Sequence, residues 1–172
     1  SGGTTPSVRT AAGVTVTIIA DAVNFTVTVK DTASPPQPIN EARVLLLAAN
    51  GNGPMPYLDV VTEIVNSGTT ATVTHSTHGM ANNDKVLIAE ASLAANNGVF
   101  TITVTDVNTY TYTMTSEPGS SPTGTITSTY VALSGLTNTS GIITDSRVFS
   151  SDQDVAGWAR KSTSSPLYQQ GP

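Results

Sequence analysis

Between Thr69 and Thr115 apolar and hydroxyl side chains alternate with period two, and this alternation constrains the chain more than any other feature. In Ala71-Thr72-Val73-Thr74-His75 and Val99-Phe100-Thr101-Ile102-Thr103-Val104-Thr105, one set of side chains must face a core and the other water. Thr109 to Thr115 repeats the pattern with Tyr110 and Tyr112 as the apolar set, and Asp84 to Ala89 supplies a fourth segment. These predict half-buried antiparallel strands. Gly79 to Asp84 and Asn96-Asn97-Gly98 are rich in residues that tolerate positive φ or bond their own backbone, so the chain is expected to reverse there. Four such strands make a small barrel or sheet, about the minimum that holds a hydrophobic face in water.

The flanking sequence is also β-rich. Residues 1–13 lack periodicity and read as a flexible arm or linker that orders on a partner. Val14 to Ile19 opens a first strand and Asn24 to Lys30 a second, ended by the prolines between Thr32 and Pro38. Ile39 to Ala49 is expected to be a strand answering the Phe25 to Lys30 edge, cut short by Asn50-Gly51-Asn52-Gly53-Pro54.

Composition removes several classes of function. With 7 Lys and Arg against 12 Asp and Glu, the net charge of −5 does not suit a nucleic-acid binder, which needs a basic face. Cysteine is absent, so disulfides, thiolate catalysis and thiolate metal sites are excluded. No apolar run approaches the roughly 20 residues that span a bilayer as a helix, and no membrane partner is expected. Charged residues make up only 11% of the chain, so its surface is one of hydroxyls and amides, suited to packed assembly or glycan contact. The start, Ser1-Gly2-Gly3-Thr4, has neither an initiator Met nor a basic leader, and is read as that of a fragment or processed chain.

Two family resemblances follow. Phe25-Thr26-Val27-Thr28-Val29-Lys30-Asp31 and Pro38-Ile39-Asn40-Glu41-Ala42-Arg43-Val44 resemble the opening of immunoglobulin-like sandwich repeats of the carboxypeptidase-regulatory and bacterial Ig-like kind. A strand like Leu133 to Ile143 completes the sheet in that pattern, and here it arrives late. The resemblance therefore implies an interrupted sandwich, residues 14–66 and 127–172, with an inserted small β-barrel or β-sheet module at 67–126. Insertion at a loop costs little, because closure entropy grows only logarithmically with length.

The insert is similar to a β-module recurrent in tailed-bacteriophage structural proteins, through Thr72-Val73-Thr74, His78-Gly79, Asp84-Lys85-Val86-Leu87-Ile88, Asn97-Gly98-Val99-Phe100-Thr101-Ile102, Tyr110-Thr111-Tyr112 and Gly124. Asn83 stands where that pattern more often has Gly, and Asn tolerates the same left-handed turn. The tail, Val155 to Thr163 and then Ser164 to Tyr168, resembles the closing strand of virion-associated sandwiches, in which the chain continues further.

The expected fold class is thus all-β, an Ig-like β-sandwich with a second small antiparallel module. The expected function is that of a non-enzymatic virion component: a capsid decoration, tail or fibre-associated subunit. Its expected partners are other virion proteins and further copies of itself. The alternative is an extracellular adhesive or glycan-binding module of a bacterial surface protein or filament, with a host-surface glycan as partner.

No residue set is assigned to catalysis, a cofactor or a metal. His75 and His78 would face opposite sides of a strand unless a turn joined them, and a metal pair needs a third ligand, the nearest in sequence being Asp84. A structural role is expected, with His78 capping the turn before Gly79. Asp145, Asp152 and Asp154 lack calcium-loop spacing and read as solvated. There is no Gly-x-Ser-x-Gly elbow for a serine nucleophile, and Gly51 to Gly53 lacks the Lys and following helix of a phosphate loop. Trp158 and Tyr168 are candidate sugar-stacking platforms, although a lone Trp in a sandwich is more often core. Arg160-Lys161 reads as a solvated strand end.

Overall fold

The computed structural model describes residues 23–161. The expected arm at 1–13, the strand from Val14 to Ile19 and the platform residue Tyr168 lie outside the described residues. The chain runs β1 (Val23–Thr28), β2 (Arg43–Ala48), β3 (Asp59–Val60), β4 (Glu63–Ser67), β5 (Thr70–Thr74), β6 (Lys85–Ala89), a 3-10 turn at Ala94–Asn96, β7 (Gly98–Asp106), β8 (Thr109–Thr113), β9 (Thr127–Leu136), β10 (Ile142–Arg147) and β11 (Val155–Arg160). It is an all-β, antiparallel protein.

One sheet takes the order β11-β2-β9-β6-β7-β8-β5-β4, with β3 added beside β9, and β1 pairs with β10 in a separate ribbon. The ribbon packs over the large sheet as the second layer of a sandwich. Phe25 meets Phe149 edge-on at 5.8 Å, and Phe149 meets Tyr130 of β9 at 5.9 Å. Gly135 presents no side chain where Ile143 of the ribbon comes closest.

The first half of β7 bonds β6 and the second half bonds β8, so the sheet changes partners along a single strand. Beneath it lies one continuous cluster that joins Ala48 and Phe149 to Val73, Val86, Ile88, Ile102, Tyr110, Tyr112 and Ile126. Val61 donates its N–H to the Ile126 carbonyl, so the chain leaves β3 and returns into β9 at adjacent points. β6 then pairs β9 over five residues, Lys85↔Val131 to Ala89↔Thr127, and the strands between 61 and 126 continue the same sheet.

The four alternating segments become β5, β6, β7 and β8, and Asn83 takes the left-handed conformation at φ 71°. Three expectations are corrected. Ile39 to Ala49 is not one strand, because Glu41 turns left-handed at φ 57° and β2 begins only at Arg43. Thr137 organises that turn: its hydroxyl donates to the Ile39 carbonyl at 2.6 Å and accepts the Ala42 N–H at 2.9 Å. Nor does β2 answer β1. It pairs β9 and β11, while β1 finds its partner in β10 through the register Val23↔Arg147 to Thr28↔Ile142. The Leu133 to Ile143 segment likewise divides into the end of β9, a turn and the start of β10.

A bulge in β9 decides which side chains the large sheet turns outward. Leu46 pairs Leu133 but Leu47 pairs Val131, which leaves Ala132 as an extra residue and reverses the faces on either side of it. Tyr130 therefore faces the ribbon below the bulge, and Gly135 faces it above. Ser134, Leu136, Leu45 and Arg43 then share the opposite face. β11 joins them at close range, since a Cβ on Gly157 would collide with the Leu45 carbonyl oxygen.

Candidate functional site

The two histidines meet in the interior. Ala71 and Val73 are fully buried, and the period of two places His75 on the same inward side. Ser76 and Thr77 then reverse the chain, with the β-branched Thr77 held in the left-handed region at φ 50° by donation of its N–H to Asn108 Oδ1. This turn brings His78 back to His75, with ring centroids 6.0 Å apart. Tyr110 packs edge-on against both rings and shares a 3.0 Å hydrogen bond with Ser128, itself fully buried.

His78 is fixed by its bonds. Its Nδ1 accepts the Met80 N–H at 3.1 Å, so Nε2 carries the proton and donates it to the Asp106 carbonyl at 3.1 Å. It caps the turn before Gly79, and both nitrogens are in use. His75 differs: Nε2 lies 3.5 Å from Asp59 Oδ2, and Nδ1 is buried without a partner among the described residues. Burial lowers the His75 pKa, against the opposing pull of Asp59, so the ring is neutral near pH 7. Burial also pushes the Tyr110 phenol upward, which keeps it protonated.

This gives a signed prediction. An unfolded chain holds His75 near its ordinary pKa of about 6.5, above the folded value, so between the two the unfolded state binds more protons. The contribution of His75 to stability is complete above that pH. It is lost as pH falls through 6.5 toward the folded pKa, with a slope no steeper than about 1.4 kcal/mol per pH unit. Urea melts between pH 5 and 8 should show this loss, and His75→Gln should flatten it.

Beside the cluster, Gly51, Gly53, Met55, Tyr57, Asp59 and Thr77 line a shallow cleft of about 160 Å³. Leu58 on its rim takes a left-handed φ of 50° and leaves its side chain 55% exposed, next to Val60 at 59%. Acidic groups gather at this end of the molecule. Asp59 lines the cleft, Asp154 accepts from Asn52 at 3.1 Å, Asp152 is exposed two residues before it, and Asp106, whose carbonyl bonds His78, ends β7. No Lys or Arg is among the lining residues.

A second surface has the opposite character. Arg160, Arg43 and Leu136 stand in one cross-strand row on the outer face of β11, β2 and β9, and Trp158, Leu45 and Ser134 form the next. Arg43, Arg160 and Leu136 are exposed, and Trp158 and Leu45 half-buried. The Arg160 guanidinium carbon sits 4.9 Å from the Trp158 ring centroid, and Lys85 reaches Ser134 at 3.5 Å from the adjoining strand. Among the described residues the only close pairings of basic with acidic side chains are His75 with Asp59 and Arg147 with Asp145, so no described carboxylate is paired with the cations of this face. Trp158 is thus neither core nor a bare platform.

Asp84 caps its own turn, accepting from Ala81 at 2.8 Å, and Asp145 pairs with Arg147 at 2.8 Å. Among the described residues no three His, Asp or Glu side chains converge as metal ligands would. The partnership of His75 with Asp59, Tyr110 and Ser128 joins residues up to 69 positions apart, and the inward parity of His75 is the only sequence signal for it.

The fold and these surfaces define an all-β sandwich protein with a buried polar cluster at one end and a cationic, aromatic sheet face. No protein-family model matches the chain, and no curated protein matches it.

Proposed function

We propose that the chain is a non-enzymatic structural component of a tailed-phage virion, a capsid decoration, tail or fibre-associated subunit that acts through protein–protein assembly. The observation that carries this reading is the outer face of β11, β2 and β9. Trp and Arg contribute most to interface energy, and here Trp158, Arg43 and Arg160 stand beside Leu45 and Leu136. The phage-like motif pattern from Thr72 to Gly124 supplies the biological setting. The alternative, a host-surface glycan module, draws on the half-exposed Trp158. Against it, the Arg160 guanidinium already lies over that ring, which reduces the area open to a sugar.

The test uses particles of the phage whose genome carries this sequence. Antibodies against the chain should label purified virions, and mass spectrometry of those particles should find the chain at a fixed copy number. A chain found only in the soluble fraction of the lysate would sink the virion reading.

A further inference from the structure

The cationic outer face has no counter-charge within the described residues, and its composition specifies what would cover it. Arg160 and Arg43 are direct cross-strand neighbours, an arrangement of like charges that costs stability in isolation. Leu136, exposed to 56%, continues their row, and Trp158 and Leu45 form the apolar row behind it. A matching partner therefore offers carboxylates interspersed with aliphatic side chains.

The cleft end of this same protein has that composition. Asp59 is exposed there between the solvent-facing Leu58 and Val60, and the exposed Asp152 and Asp154 flank Gln153, which accepts from Met55 of the cleft, while Asp154 accepts from Asn52. Resting on the assembly reading above, we infer that the partner is a second copy of this chain. The acidic cleft end of one copy docks on the Arg43, Arg160 and Trp158 face of the next.

The two surfaces are different patches, so the contact is head-to-tail. Each copy keeps one free surface of each kind, and repetition produces a ring or a filament rather than a closed two-fold dimer. Between chains of net charge −5 such a contact depends on local complementarity, and salt screens it.

Light scattering and sedimentation of the full chain test this. At 50 mM salt the mass should rise with concentration beyond the monomer, and 500 mM salt should weaken association at least tenfold. The double variant R43E/R160E reverses the face while keeping two like charges opposite each other, although it gives up the stacking of Arg160 on Trp158. It should be monomeric, as should D152K/D154K, and a 1:1 mixture of the two should associate again. Thermal melts confirm folding of the variants, and the salt dependence of the native chain needs no variant. Three results would overturn the inference: a native chain monomeric at every concentration, association indifferent to salt, or association undiminished in R43E/R160E. Monomers held by an anionic polysaccharide column and released by R43E/R160E would assign the face to an acidic glycan instead. Failure here with the chain still present in virions leaves the assembly reading standing, whereas absence from virions removes that reading itself.

Discussion

Tyr110→Ala should lower folding stability by about 3–5 kcal/mol, the range for removing a large aromatic ring from a packed core. Tyr110 is fully buried, and its ring is the surface against which both histidines pack. Tyr110→Phe separates the hydroxyl from the ring. It leaves the Ser128 hydroxyl, which is buried and bonded to Tyr110 at 3.0 Å, without that partner, at an expected cost of about 1–3 kcal/mol. Removing both hydroxyls in Tyr110→Phe/Ser128→Ala should recover most of that loss, because no desolvated group then lacks its partner. Urea midpoints at constant m-value give all three numbers. A Tyr110→Phe variant as stable as the native chain would show that the bond between β8 and β9 contributes nothing.

The link matters because Tyr110 and Ser128 sit on strands that the chain reaches by different routes. β8 belongs to the stretch that leaves after Val61, and β9 is the strand that receives the chain at Thr127. Their shared hydroxyl bond closes the structure over the histidines, and Asp59 on β3 approaches His75 in the same place. Acid loss of His75 neutrality and loss of the Tyr110 hydroxyl therefore act on one junction. Their effects on stability should be coupled, as expected for residues that touch.

What can be read from sequence is what period two encodes. Val73, Ile102, Tyr110 and Tyr112 alternate with threonines, and all four are buried as their parity requires. The same rule places Arg43 with Leu45, and Trp158 with Arg160, on one face of each strand. Parity gives no partner, however. That β1 pairs β10 across more than a hundred residues depends on which strands can close the second layer, and nothing local to Phe25 specifies it. The start of β2 escapes the pattern for a local reason: the apolar run from Ile39 continues through a left-handed Glu41, a conformation that hydrophobicity does not report. Asn96 reads in the sequence only as turn chemistry, although it is fully buried and bonded to side chains of two strands.

Asn96→Ala should cost about 3 kcal/mol, because it leaves buried polar groups without partners as well as removing packed atoms. Its Nδ2 donates to Asn66 Oδ1 at 3.0 Å and to the Tyr112 hydroxyl at 3.0 Å, and its Oδ1 accepts from Asn66 Nδ2 at 3.1 Å. One amide thus ties β4 and β8 to the connection that precedes β7. Asn96→Asp keeps the shape but replaces the donor with an ionisable oxygen. Burial disfavours the charged carboxylate and raises its folded pKa above the unfolded value of about 3.9. The folded state then binds more protons, so this variant should lose stability as pH rises through that window, opposite in sign to the His75 effect. Urea melts of Asn96→Asp at pH 4 and pH 7 decide the matter. Measured as the difference from the native chain at each pH, so that the His75 effect cancels, a larger loss at pH 7 than at pH 4 would show that the site is closed to a charge, and an equal loss would mean that water reaches the amide pair.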